Sequence, residues 1–141
     1  PSPAAGADAA NGRPVGSRVA SRTFLVVDDE PTIRLALVRY LEKEGHVVDA
    51  VASGAEALER VRAKRYDGIL LDLRMPDLPG DEVYAALERV DPEHAARVVF
   101  ATGDVESAAA REFLRRVQRP YVSKPFLLPT VAHLLSSVAR S

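Results

Sequence analysis

The chain has 141 residues, 47% of them hydrophobic, with a formal net charge of −1 and no cysteine. That length suits one domain and is short for two, and such a domain buries roughly two-thirds of its unfolded surface. The charge argues against a basic nucleic-acid footprint, the missing cysteines exclude disulfides and thiolate metal sites, and no apolar run approaches the roughly 20 residues of a membrane span or forms a signal-peptide core. The expectation is a soluble, cytoplasmic domain without membrane contact, whether or not a longer parent protein is membrane-anchored.

Residues 1–22 read as a flexible linker or tail. Ala, Pro and Gly fill 11 of the first 17 positions, and Val15 is their one large aliphatic. Such a segment buries too little apolar surface to offset its ordering entropy. The start at Pro1 reads as a fragment cut from a longer protein within an interdomain linker. Residues 23–141 read as the folded domain. Strand patterns fall at 23–28, 47–52, 67–72, 97–101 and 120–123, and helix patterns at 31–44, 54–64, 80–89, 105–117 and 127–139. In the first helix Ile33, Leu37, Tyr40 and Leu41 share one face, Pro31 opens it and Gly45 stops it. Ser53 caps the second, with Glu56 completing a near capping box. Five strand–helix units predict a single doubly wound α/β domain with a parallel sheet and helices on both faces.

Two of the apolar strands stop at carboxylates, at Asp28-Asp29-Glu30 and at Asp72. In a parallel sheet that edge opens onto the ligand crevice, and three clustered carboxylates repel unless a divalent cation sits among them. Asp29, Asp72, Thr102 and Lys124 are separated by 43, 30 and 22 positions in turn. Each lies at or just past the end of a different strand. Taken singly each has an ordinary explanation: acids at a helix N-terminus, post-strand turn residues, a solvated lysine. Together they do not.

Val27-Asp28-Asp29-Glu30, Leu71-Asp72-Leu73-Arg74-Met75-Pro76 with Gly80, Ala101-Thr102-Gly103 and Ser123-Lys124-Pro125-Phe126 resemble the receiver domain of two-component response regulators over about residues 23–139. The resemblance implies a flavodoxin-like (βα)5 fold of strand order 2-1-3-4-5. It implies Asp72 as phosphoacceptor and Mg²⁺ as cofactor, with Mn²⁺ or Ca²⁺ able to substitute. Asp28, Asp29, Asp72 and the Arg74 backbone carbonyl would be the ligands, Asp28 directly or through water. Lys124 and Thr102 would contact phosphoryl oxygens, Thr102 and Tyr121 would form the switch, and the Lys124–Pro125 peptide would be cis. The implied readout is the surface of the fourth helix, fifth strand and fifth helix. The implied donor is a histidine kinase or histidine phosphotransfer domain. Phosphorylation and slow dephosphorylation would be self-catalysed, in a monomer or weak dimer that does not touch nucleic acid directly.

Nothing following the last helix, and Arg119-Pro120 before Tyr121 in place of an acidic approach, point to the C-terminal receiver of a hybrid sensor histidine kinase. A stand-alone or truncated response regulator, and a non-phosphorylated interaction module, are the alternatives. An aspartyl phosphatase would want a second Asp at the position of Arg74, and a flavin-binding loop would not be acidic after the first strand. Arg74 and Asp104, each two positions past a site residue, are read as tuning hydrolysis. His46, His94 and His133 are read as surface or packing residues, and Arg111, Arg115, Arg116 and Arg119 as a solvated face.

Overall fold

The structure, a computed structural model, describes residues 21–103 and 106–139. The tail expected over 1–22 lies outside them but for its last two residues, and so does Asp104. Strands β1 (Thr23–Val27), β2 (Val47–Val51), β3 (Gly68–Asp72), β4 (Val98–Thr102) and β5 (Tyr121–Ser123) form one sheet. All pairings are parallel, in the order β2-β1-β3-β4-β5. Helices α1 (Pro31–Lys43), α2 (Gly54–Ala63), α3 (Gly80–Val90), α4 (Ala108–Val117) and α5 (Leu128–Ala139) connect and follow them. This is the doubly wound arrangement that the alternation of patterns predicts, in the flavodoxin-like strand order that the resemblance implies.

The period of two in each strand divides the core. Leu25, Val27, Ile69, Leu71, Val98 and Phe100 pack with residues of α2, α3 and α4. Phe24, Val26, Leu70, Val99, Ala101 and Val122 pack with residues of α1 and α5. Residues 24–27 of β1 and all of β3 and β4 are buried, which is why their sequences are nearly unbroken apolar runs. In α1, Leu37 and Leu41 are buried while Ile33 and Tyr40 pack at the margin. Gly45 has φ 99°, a left-handed C-terminal residue that ends the helix without a Cβ clash. Ser53 Oγ accepts from Glu56 N at 3.2 Å, and Glu56 Oε1 accepts from Ala52 N at 3.0 Å.

The helix expected over 105–117 starts at Ala108, because Ser107 Oγ accepts from Ala110 N and caps it there. A one-turn helix, Pro92–Ala95, precedes β4 and is absent from the elements that the periodicities predict. It is too short for a periodic signal, although Asp91-Pro92 is a cap and first-turn pair.

Candidate functional site

The strand order reverses around β1 and β3, so α1 leaves one face of the sheet and α2 and α3 the other. The crevice at this reversal is where such sheets hold ligands. Asp28 and Asp29 follow β1, and Asp72 is the last residue of β3. One ligand atom from each of Asp28, Asp29 and Asp72 lies within 4.8 Å of the others. Asp28 and Asp72 are buried, at 1% and 3% exposure, and Asp29 is exposed.

Lys124, just past β5, crosses to this cluster. Its Nζ donates to Asp72 Oδ2 at 2.9 Å, pairs with Asp28 Oδ2 at 3.0 Å and lies 3.6 Å from Glu30 Oε1. Asp28 Oδ2 is buried, and the Lys124 ammonium is the cation that faces it. Asp28 Oδ1 accepts from Glu30 N at 2.9 Å, and Arg34 donates to the Asp28 carbonyl at 2.8 Å. Asp72 Oδ1 accepts from Arg74 N at 3.1 Å. Burial pushes the Asp72 carboxyl above the ordinary carboxylate range. The bonds from Lys124 and Arg74 N oppose this, and the Asp28 charge adds to it. Lys124 is desolvated as well, yet bonding to Asp72 and Asp28 outweighs that and holds its ammonium charged well beyond the usual lysine range.

Thr102 ends β4 fully buried, and its carbonyl accepts from Lys124 N at 2.8 Å. Tyr121 is 49% exposed. The pairing of Thr102 with Ser123 and Phe100 with Tyr121 puts Thr102 and Tyr121 on the same face of the sheet. Thr102, Arg74, Asp81, Ser107 and Phe113 line a cleft of about 270 Å³. The Lys124–Pro125 peptide is cis. Gly80 closes the floor: a Cβ there would stand 2.4 Å from the Asp72 carbonyl, so the loop after β3 folds directly onto the strand end.

Residues outside the expected set also matter. Asp77 bonds the first two backbone N–H groups of α2, and no local pattern announces it because its partners are over twenty positions away. Of the histidines, His46 and His94 are buried and His133 is exposed. In the arginine cluster Arg111, Arg115 and Arg116 are exposed, Arg115 pairing with Glu112 and Arg116 lying over Phe113. Arg119 departs from that face: it is half-buried and donates to the Val98 carbonyl at 3.1 Å.

No helix among the described residues is long and apolar enough to cross a membrane. The family model for the response regulator receiver domain matches residues 24–136. The chain is 36% identical over 129 residues to the transcriptional regulatory protein TcrA of Mycobacterium tuberculosis, covering 92% of this chain and 50% of TcrA. It is 32% identical over 114 residues to the sensor kinase CckA of Brucella abortus, covering 79% of this chain and 12% of CckA. The chain thus spans about half the length of TcrA and far less of CckA. The solved structure of the response regulator protein TrrA of Thermotoga maritima, in complex with Mg²⁺ and BeF, superposes with TM-score 0.71 at 29% identity, over 83% of this chain and 98% of that one. Fold, site geometry and these matches together establish that the chain belongs to the response regulator receiver domain family.

Proposed function

We propose that Asp72 accepts a phosphoryl group from a phosphohistidine, carried by a histidine kinase or a histidine phosphotransfer domain, with Mg²⁺ held beside it. The observation that carries this reading is the convergence of three carboxylates within 4.8 Å around a lysine that touches two of them. The residues fit a hard divalent cation. Three carboxylates face one ammonium, which leaves net negative charge among oxygen donors. Asp28, Asp29, Asp72 and the Arg74 carbonyl would hold the cation, with Mn²⁺ or Ca²⁺ as substitutes. Bound there, it neutralises charge between the carboxylate and the incoming phosphoryl dianion.

An Asp72 oxygen attacks phosphorus, the P–N bond to the donor imidazole breaks, and the imidazole leaves with that electron pair. Lys124 then pairs with one phosphoryl oxygen and the Thr102 hydroxyl donates to another. Water later attacks the phosphorus, releasing inorganic phosphate and the Asp72 carboxylate. Arg74 and Asp104 steer that water, and an unchanged phosphoryl half-life after replacing both with alanine would remove them from this role. With Thr102 drawn towards the phosphoryl group, Tyr121 turns inward and the α4–β5–α5 surface changes.

We place the receiver at 23–141 behind a linker at 1–22, in the cytoplasm, as a monomer or weak dimer with no direct nucleic-acid contact. Its parent is a hybrid histidine kinase, a reading supported by the similarity to CckA and by Arg119-Pro120 before Tyr121. The similarity to TcrA favours a second reading, a transcriptional response regulator. Acid-labile phosphohistidine on the ATP-treated parent chain separates the two.

Intact-mass spectrometry with Mg²⁺ and acetyl phosphate tests the core of the reading. One phosphoryl group gained by the wild type and none by Asp72→Asn supports it. No gain by a wild type that binds Mg²⁺, with the small donor and with phosphohistidine donors alike, leaves a non-phosphorylated interaction module.

A further inference from the structure

The loop after β3, residues 73–79, carries the Arg74 carbonyl, and it is tied down at more than its ends. At its start Leu73 N donates to the Ala101 carbonyl at 3.0 Å, and at its close Gly80 N donates to the Leu73 carbonyl at 3.1 Å. Met75 is 6% exposed and packs into the core. Between Met75 and Gly80 the tie is Asp77. Its Oδ1 accepts from Gly54 N and its Oδ2 from Ala55 N, each at 3.1 Å. These are the first two N–H groups of α2, which a helix leaves without intrahelical partners. Those donors, Ala55 N foremost, hold the Asp77 carboxyl below the usual range, so it stays charged. The loop and helix also meet backbone to backbone, since a Cβ at Gly54 would stand 2.7 Å from the Leu78 carbonyl. Asp29, Arg74, Met75, Pro76 and Pro79 line one cleft, so a shift of this loop changes the wall of the acidic cluster.

We propose that Asp77 is a positioning residue of the cation site: by clamping the loop to the N-terminus of α2 it sets where the Arg74 carbonyl stands relative to Asp29 and Asp72. The inference rests on the cation site proposed above. A helix cap of no further consequence would lower stability when removed and leave metal affinity unchanged. Ser53 supplies the comparison, because its Oγ caps the same helix through Glu56 N and makes no bond to the loop.

The experiment is Mg²⁺ titration by calorimetry at a temperature well below unfolding, on wild type, Asp77→Ala, Asp77→Asn and Ser53→Ala, with the Tm of each. The expected result is an Mg²⁺ affinity weakened about tenfold in Asp77→Ala, the low end for a residue acting behind a ligand. Asp77→Asn, which keeps one acceptor oxygen, falls between. Ser53→Ala lowers Tm comparably and keeps wild-type affinity. Wild-type affinity in Asp77→Ala, or equal weakening in Ser53→Ala, overturns the positioning role. A wild type that binds no Mg²⁺ overturns the cation site itself.

Discussion

At the C-terminal edge of the sheet Asp28, Asp29 and Asp72 crowd together around Lys124. At the N-terminal edge Asp91, His94 and Tyr66 form a chain in which each group has its complement. Tyr66 N donates to His94 Nε2 at 3.0 Å, which leaves the proton on Nδ1, and that atom meets Asp91 Oδ2 at 2.6 Å. Tyr66 Oη continues to Asp49 Oδ2 at 2.6 Å, and Asp49 also takes Lys64 Nζ at 3.0 Å. The first cluster keeps excess negative charge around one ammonium, and the second balances its donors and acceptors. The first is the cluster proposed above to hold a cation, and the second is a joint that holds the fold together.

The widest separation of the two comes from His94→Ala. It removes the ring that accepts from Tyr66 N and bonds Asp91 Oδ2, leaving Asp91 only its bond from the backbone N of residue 94. We expect a loss of about 2–4 kcal/mol, or roughly 8–15 °C in Tm, with phosphoryl uptake intact below the transition. A Tm change within about 2 °C would mean that the N-terminal cluster is not a joint. Asp29→Asn should do the reverse. Mg²⁺ affinity should fall about tenfold or more, while Tm moves by less than about 1 °C because Asp29 is exposed. Equal metal binding by calorimetry would dismiss Asp29 as a ligand.

Charge sharpens the contrast further. Burial raises the Asp72 carboxyl, so its ionised form is disfavoured by the fold. The metal-free Asp72→Asn variant should therefore melt a few degrees higher than wild type, and a lower Tm would contradict the repulsion. The two aspartates should also titrate on opposite sides of the ordinary value of 3.8. Asp72 has a raised folded pKa, so its contribution to stability is complete below the unfolded value and is lost as pH rises through the folded one. Asp91 is pushed up by burial, but its bonds with His94 outweigh this and hold it low. Its contribution is present above the unfolded value and is lost only as acid passes through the folded one. Carboxyl-carbon NMR titration of metal-free protein checks both, and an Asp72 midpoint below that of Asp91 would reverse the comparison. The smallest effect is that of Tyr66→Phe. Asp49 keeps Lys64 and Arg60, so about 0.5–1 kcal/mol should be lost, read by urea unfolding.

Much of the C-terminal edge is legible in the order of the residues. Asp28, Asp72 and Thr102 each end an apolar run, and the alternation of patterns assigns those runs to parallel strands, whose ends share one edge. Asp91-Pro92 is legible in principle, but a four-residue helix carries no period. Asp77 is not legible, since the N–H groups it bonds belong to α2. His94 reads as a surface or packing residue, and its burial agrees with packing. Nothing around it in the chain announces that its ring bonds Tyr66 N, 28 positions away.

The order of the elements, the faces they bury and the edge at which the acids lie can all be read along the chain. These follow from periodicities of two and 3.6 residues, which are local properties of the chain. Folding is what brings Lys124 to Asp72 across 52 positions and ties the Asp77 loop to α2. Such contacts depend on strand order, register and loop closure, and burial strengthens the one between Lys124 and Asp72.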